Sequence, residues 1–378
     1  MYFIAIINGR LANIPMAAPR QLHLLVPQLF GSDLSGVNSR LAASELEILL
    51  ARSARSACAA DTNTLLFELF GVEADSERLP IAPLTYALDT GSAPSGWCLR
   101  ADPVYMRADS DRVFLMGNDF LSVHPHEAEA LASELAPLLQ EYGGQLSTPS
   151  PKRWYLDLPR DPGIYGQDLQ SVRGCDIHRF LASESQGSEN AKLWRRILNE
   201  VQMVLHGSPV NTAREARGEL PINSLWFWGG GRLPAAGAQH LVQACTNNIV
   251  GLALAQLTIT PHTPAPAIAS DWLQEAITPG EHLVLLEGAA NSIDTHYELD
   301  DTAQQQMAIS CLNKDWFAPL LTSLKSRALT DLYIYPGNGT VFHSTAASIS
   351  HWWKRPRRLA SYQISGADTD SAAPIVSR

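Results

Sequence analysis

The residues best equipped for chemistry lie in one run, Pro209 to Pro234. A polar segment holding Asn211, Arg214 and Arg217 leads into an apolar run, Leu225 to Trp228, which stops at Gly229, Gly230, Gly231, Arg232 and a proline. Apolar and aromatic residues bounded by turn formers predict a buried strand. Glycines at its end let the backbone approach a ligand closely and permit positive φ. Arg232 adds a planar cation matched to carboxylate or phosphate. Ligands of open α/β sheets sit at the carboxyl ends of strands, and the sequence places Arg232 at such an end. A loose turn followed by a solvated arginine has the same spacing, so both readings stand. The run is no dinucleotide fingerprint or phosphate-binding loop, because neither G-x-G-x-x-G nor Gly-Lys-Ser/Thr is present.

Other residues compete for a role. Arg100, Asp102, Arg107 and Asp109 fall at the ends of a predicted hairpin. They either point cations at an anion, with Asp102 holding one of them, or form exposed ion pairs of little energetic consequence. Asn211, Arg214 and Arg217 share one side of a helix, as a binding face or a solvated one. His124 and His126 flank Pro125 without acidic or cysteine partners at ligand spacing, which predicts a helix-start surface pair. His351, Trp352, Trp353, Lys354, Arg355, Arg357 and Arg358 join aromatics to cations. Such a cluster suits single-stranded nucleic acid or an anionic surface, but the commoner arrangement packs the tryptophans on the core and leaves the cations solvated. No G-x-S-x-G nucleophile turn occurs.

Composition sets the frame. The 378 residues suggest two domains, or one core with a large insert. An apolar fraction of 46% with 17% charged residues is that of a globular chain. The formal net charge of −10 excludes nucleic-acid binding by the chain as a whole, though not by a local basic patch. Cys58, Cys98, Cys175, Cys245 and Cys311 are scattered, odd in number and never in a C-x-x-C pair. They suit a reducing cytoplasm rather than a disulfide framework. Tyr2 to Ile7 is too short for a signal-peptide core, and no run is long enough for a membrane span. Residues 1–19 read as an unpacked extension and residues 366–378 as a frayed tail.

The elements that must position these groups follow from periodicity. Strands are predicted near 21–27, 225–228, 240–245, 282–286 and 331–335, as an α/β core. Helices are predicted over 38–54, 64–70, 83–88 and 248–256, and over 301–327 with a break near Lys314 and Asp315. Thr258 to Ile268, with three prolines, reads as a loop. Residues 97–106 and 112–116 form a hairpin. An amphipathic helix over 125–142, a strand over 153–158 and a helix over 190–205 follow. The core domain is therefore residues 1–94 plus 222–378, and residues 95–221 are an inserted α+β domain, with a ligand cleft expected at the joint.

These motifs carry a resemblance. The run PVNTAREARGELPINSLWFWGGGRLP is similar to the corresponding run of the archaeal-type cofactor-independent phosphoglycerate mutases. There an asparagine, two spaced basic residues and a glycine precede a Pro-x-Asn strand ending in a glycine-rich turn. The hairpin LRADPVYMRADSDRVFLM resembles the start of that family's inserted domain. The likeness is closer still to the RpfE-type bacterial regulatory proteins, in which RADPVYMRAD, RWYLDL and WFWGGGRLP recur. It covers roughly residues 20–360 and is sharpest over 97–234.

The resemblance implies an α/β fold with an alkaline-phosphatase-like core sheet, helices on both faces and the insert. Mutase chemistry uses two divalent metals such as manganese, an Asp-rich start to the first strand, a Ser or Thr nucleophile and late Asp-His pairs. This chain departs there. Gln28-Leu29-Phe30-Gly31 follows the first core strand, Asp33 is the only early carboxylate nearby, and Pro336-Gly337-Asn338-Gly339 stands in place of a late Asp-His pair. His343 and His351 lack carboxylates at ligand spacing. The implied protein is non-catalytic and regulatory, with no catalytic residue, metal or cofactor. It would bind a small phosphorylated or carboxylated metabolite in the cleft through Arg100, Asp102, Arg107, Asn211, Arg214, Arg217, Gly229, Gly230, Gly231 and Arg232. The alternative is an active metal-dependent phosphoglycerate mutase or related phosphotransferase. A protein partner at 351–358 is a third option; neither nucleic acid nor membrane is expected.

Overall fold

Strand β1 (Tyr2–Ile7) pairs antiparallel with β2 (Arg10–Pro15), where an unpacked extension is expected. The local reason is plain: aromatic and β-branched residues fill β1, and Asn8-Gly9 between the strands is the strongest short hairpin signal. The structure, a computed structural model, describes residues 2–7, 10–15, 20–31, 43–109, 112–164, 166–177, 180, 189–276, 278–288 and 301–362. The predicted tail at 366–378 lies outside the described residues. The chain divides into two compact units, residues 1–72 with 236–378, and residues 73–235.

Along the first unit β3 (Arg20–Leu25) precedes a helix over Ser44–Arg52, β4 (Ala54–Ala57) and a helix over Thr62–Leu69. The predicted 38–54 helix thus stops before Ser53, and Ala54–Ala57 joins the sheet. Then comes the second unit. A helix over Ile81–Thr90 leads to β5 (Trp97–Asp109) and β6 (Arg112–Gly117). A helix over Pro125–Glu141, β7 (Gln145–Ser150) and β8 (Arg153–Leu158) follow. Helices over Glu189–His206 and Pro209–Ala216 lead to β9 (Ser224–Gly231). The first unit resumes with β10 (Leu241–Cys245), a helix over Ile249–Leu257 and the two-residue β11 (His262–Thr263), inside the predicted loop. A helix over Ala269–Glu275 and β12 (Gly280–Leu285) come next. The helical stretch Asp301–Lys325 carries a π turn at Asn313–Phe317, where the break is predicted. β13 (Asp331–Tyr335) and β14 (Thr340–Thr345) close the sheet.

Among the described residues seven strands form the core sheet, in the order β11-β10-β12-β3-β13-β14-β4. The first five run parallel, β14 is antiparallel to both of its neighbours, and β4 therefore runs with the first five. Parallel strands are covered on both faces, and β3 is so covered from Leu22 on: Leu22, Leu24 and Leu25 are at most 1% exposed, and His23 between them is buried too. On one face Leu22, Leu24, Leu332, Ile334 and Phe342 pack with Leu46, Leu49, Trp272, Trp316 and Phe317 from the helices. Helices Thr62–Leu69 and Ile249–Leu257 pack on each other, apart from that cluster. The π turn carries a structural residue. Asn313 accepts the Leu46 N–H through Oδ1 at 3.0 Å and donates to Glu45 at 2.6 Å. It caps a helix whose own N-cap, Ala43, has no side chain for the task, a contribution of about 1 kcal/mol.

One strand is not where the sequence puts it. Leu225–Trp228, expected in the parallel core, belongs to β9 and pairs antiparallel with β5. The reason is geometric: Pro209–Ala216 is a short helix inside the second unit, and its turn delivers the chain beside β5 rather than back to β3. The sheet of this unit is antiparallel, β6-β5-β8-β7 with β9 on β5. Leu99 and Ala101 face helices Pro125–Glu141 and Glu189–His206. By the two-residue period of a strand, Cys98, Arg100 and Asp102 face the other side, where Cys98 meets helix Ile81–Thr90.

Candidate functional site

Arg100 and Asp102 answer each other on one face of β5. The Arg100 guanidinium donates to Asp102 at 2.7 and 2.9 Å, and Trp228 Nε1 donates to the same carboxylate at 2.8 Å. Arg100 lies over the Tyr155 and Trp228 rings at 5.4 and 5.2 Å. Exposures of 4% for Arg100 and 0% for Asp102 decide their role: this is a desolvated ion pair inside the unit, not a pair of exposed charges. Burial pushes the Asp102 carboxyl above its ordinary range, against the pull of Arg100 and Trp228. A neighbouring set escapes sequence reasoning. Asp89 receives Arg153 at 2.6 and 2.8 Å and the Tyr155 hydroxyl at 2.6 Å. No local spacing links Asp89 to residues 64 and 66 positions away.

Asn211, Arg214 and Arg217 are brought together, around Glu127. Asn211 donates to the Leu205 and Ile222 carbonyls and accepts the Ile222 N–H, at 2.7 to 2.8 Å. Arg214, 1% exposed, donates to Glu127 at 2.6 Å and to the Leu220 and Ser122 carbonyls at 2.9 and 2.8 Å. Arg217 bridges Glu127 at 2.6 Å and Glu219 at 2.9 Å. Burial pushes the Glu127 carboxyl up, but the His124 N–H with Arg217 and Arg214 brings it below the ordinary range. The cluster ties the start of helix Pro125–Glu141 to helix Pro209–Ala216 and to the chain entering β9. Asn211, Arg214, Arg217 and Glu127 each already have partners within the protein. His124 and His126 stack beside this helix start at 5.6 Å.

The three glycines meet protein, not open space. A Cβ on Gly230 would lie 2.4 Å from the Leu99 side chain, and one on Gly231 2.5 Å from Pro80. Gly229 has φ 63° and packs on Ile81. Close approach of helix Ile81–Thr90 and β5 therefore accounts for all three. Arg107 and Arg232 are exposed, and no partner is seen for either among the described residues. The structure does not bring them together. Cys98 faces Gly231 and Val104 faces Ser224, so about ten residues of strand, roughly 30 Å at about 3.3 Å each, separate the two arginines.

In the core unit the carboxyl ends of β10 and β12 border a cavity of about 320 Å³. Its polar wall is Asn247, Glu287, Cys311 and Asp315; Leu285, Leu312 and Trp316 supply apolar surface. Among the described residues no lysine, arginine or histidine lines it, so a phosphate there would face two carboxylates, whereas an amine or hydroxyl would be matched. At the neighbouring ends, Val26 N–H donates to the Tyr335 carbonyl at 2.9 Å. Gly337, at φ 78°, packs so closely on Pro27 and Gln28 that an added Cβ would be 3.3 Å from the Gln28 nitrogen. Gln28 itself has φ 60°, a left-handed backbone rare outside glycine. Among the described residues, no three of His, Cys, Asp and Glu converge as a metal-holding group. The five cysteines are free.

His343 does have a carboxylate, contrary to the sequence reading. Its Nε2 lies 2.8 Å from Asp331 across the β13–β14 ladder. The same ladder builds a ring stack over three strands. His23 lies on Tyr333 at 4.6 Å, Tyr333 lies on His343 at 4.2 Å, and His23 Nδ1 meets the Tyr335 hydroxyl at 2.9 Å. Burial, with His240 and His343 nearby, lowers the His23 pKa to about 4, against a smaller opposing pull from Asp331.

The chain is thus a mixed α/β protein, with a central, mostly parallel sheet between helices and a second unit set into the sequence after its first strands. That is the architecture expected of a mutase-like core with an insert. Over 116 residues the chain is 28% identical to a probable 2,3-bisphosphoglycerate-independent phosphoglycerate mutase of Geobacter sulfurreducens. The match takes in 30% of this chain and 25% of that protein, so the chain spans about a quarter of the curated relative. No protein-family profile matches. Among solved structures, the PH0037 protein from Pyrococcus horikoshii superposes with a TM-score of 0.50 at 11% identity, covering 92% of this chain and 93% of that one, a likeness of fold alone. A cofactor-independent phosphoglycerate mutase from Thermoplasma acidophilum gives 0.46 at 16% identity, with 93% and 95% covered. No helix among the described residues is long and apolar enough to cross a membrane.

Proposed function

We propose that this protein is a non-catalytic, regulatory relative of the cofactor-independent phosphoglycerate mutases, of the RpfE type, with an alkaline-phosphatase-like core. It binds a small phosphorylated or carboxylated metabolite and does not turn it over. One observation carries the non-catalytic half. The carboxyl ends of the adjacent central strands β3 and β13 present Pro27-Gln28 and Pro336-Gly337-Asn338, packed on one another. Two-metal phosphoryl transfer needs carboxylates and imidazoles at strand ends to hold its ions, and these side chains do not fit that task.

For the anion, the cations already locked in ion pairs are poor candidates, because a ligand would have to displace a buried partner. Arg232, exposed beside the tightly packed Gly229–Gly231 backbone, is the residue we assign to the ligand. Titration calorimetry with 3-phosphoglycerate tests this. Arg232→Ala should weaken binding about tenfold or more, the value of one charge-assisted contact, without lowering the melting temperature. Absence of binding to the unaltered protein, or binding indifferent to Arg232→Ala, would remove the proposal.

A second reading, an active mutase or related phosphotransferase, is favoured by the 116-residue similarity to a probable mutase. It requires metal ligands that the described strand ends β3 and β13 do not supply.

A further inference from the structure

The sequence leads one to expect Trp352 and Trp353 on the core. They are instead 78% and 61% exposed. The backbone that carries them is pinned at both sides. Ile349 is 3% exposed before it, and Leu359 and Tyr362 are 0% and 3% exposed after it, in the main core cluster. Between these anchors His351 packs on Trp353 at 4.6 Å, and the two indoles meet edge to face at 6.2 Å. Lys354, Arg355, Arg357 and Arg358 follow, all exposed and in no ion pair among the described residues. Arg55 stands close by, over the Tyr362 ring at 4.7 Å. A chain of net charge −10 thus holds four cations in five residues, next to two open indoles.

We propose that this anchored loop binds single-stranded nucleic acid, with bases stacking on Trp352 and Trp353 and phosphates meeting Lys354, Arg355, Arg357 and Arg358. Size and charge select this occupant. The cations call for a polyanion, and the indoles for flat apolar groups between its charges. A folded acidic partner would need a contact of about 800 Å² per side, beyond what an eight-residue loop offers. An anionic bilayer would set an extended plane of charge against the acidic remainder of the molecule. A flexible single strand touches the loop alone and avoids both difficulties. The four cations predict a shallow salt dependence, with log K falling against log salt at a slope of about −3, from about 0.7 per phosphate on a single strand.

The experiment is fluorescence anisotropy with labelled (dT)12, using the full chain. The same assay with a duplex of equal length, and sedimentation with phosphatidylglycerol vesicles, complete it. Binding to (dT)12 should exceed binding to the duplex. Trp352→Ala with Trp353→Ala should weaken it tenfold or more while the salt slope stays. Gln at 354, 355, 357 and 358 should flatten the slope. All six positions are exposed, so circular dichroism of the variants should match that of the parent. Any of three results would overturn the proposal: no anisotropy change with (dT)12, binding unaltered by both variants, or sedimentation with vesicles in the absence of oligonucleotide binding.

Discussion

His23 is a buried imidazole held neutral by its surroundings, and that has a measurable consequence. Its folded pKa, about 4, lies below the 6.5 of an unfolded histidine. The unfolded chain therefore takes up the proton first. The stabilisation is complete above pH 6.5 and is lost as pH falls from there towards 4. By pH 5 the loss should be about 2 kcal/mol. Urea unfolding at pH 7 and pH 5 should show that drop for the parent and little of it for His23→Phe. An equal drop in both would place the titration elsewhere. Arg214 makes a second residue-scale case. Arg214→Leu leaves Glu127 buried with Arg217 as its one remaining cation beside the His124 N–H, and breaking such a pair from one side costs about 3–5 kcal/mol. A change below about 1 kcal/mol in chemical denaturation would show that the cluster is not the brace described.

At the scale of elements, Gly229–Gly231 separates a packing role from a binding one. A Cβ on Gly231 would press on the Pro80 Cβ at 2.5 Å and its Cα at 3.1 Å. Gly231→Ala should therefore cost about 1–3 kcal/mol through overpacking. Thermal unfolding measures this, and an unchanged melting temperature would mean that the helix start at Pro80 yields freely. The motif was legible as a strand ending in close backbone approach; what approaches it was not. Periodicity located β3, the hairpin of β5 and β6, helices Pro125–Glu141 and Glu189–His206, and the break in the 301–327 helix, because those signals are local. Sheet membership is not local. Leu225–Trp228 is as apolar as a parallel core strand, and only its pairing with β5 shows which sheet it joins. Likewise the spacing of Arg100 and Asp102 fits an anion clamp and an internal ion pair equally well. Burial decides between them, and burial depends on Trp228, 126 positions from Asp102, and on how helix Ile81–Thr90 packs back on β5, neither of which the local spacing reveals. His343 looked isolated because Asp331 becomes its neighbour only when β13 and β14 pair.

For the molecule as a whole, the cationic motifs that suggested a ligand serve largely to hold the second unit together, and among the described residues the ends of β3 and β13 carry no metal-ligand set. What separates a ligand-binding relative from a working mutase is turnover. The direct measurement is conversion of 3-phosphoglycerate to 2-phosphoglycerate by the purified full chain, followed by an enolase-coupled assay across a manganese titration. No conversion above the protein-free rate is expected at any manganese concentration. Conversion that scales with protein, requires manganese and stops on chelation would establish a working enzyme and end the non-catalytic reading.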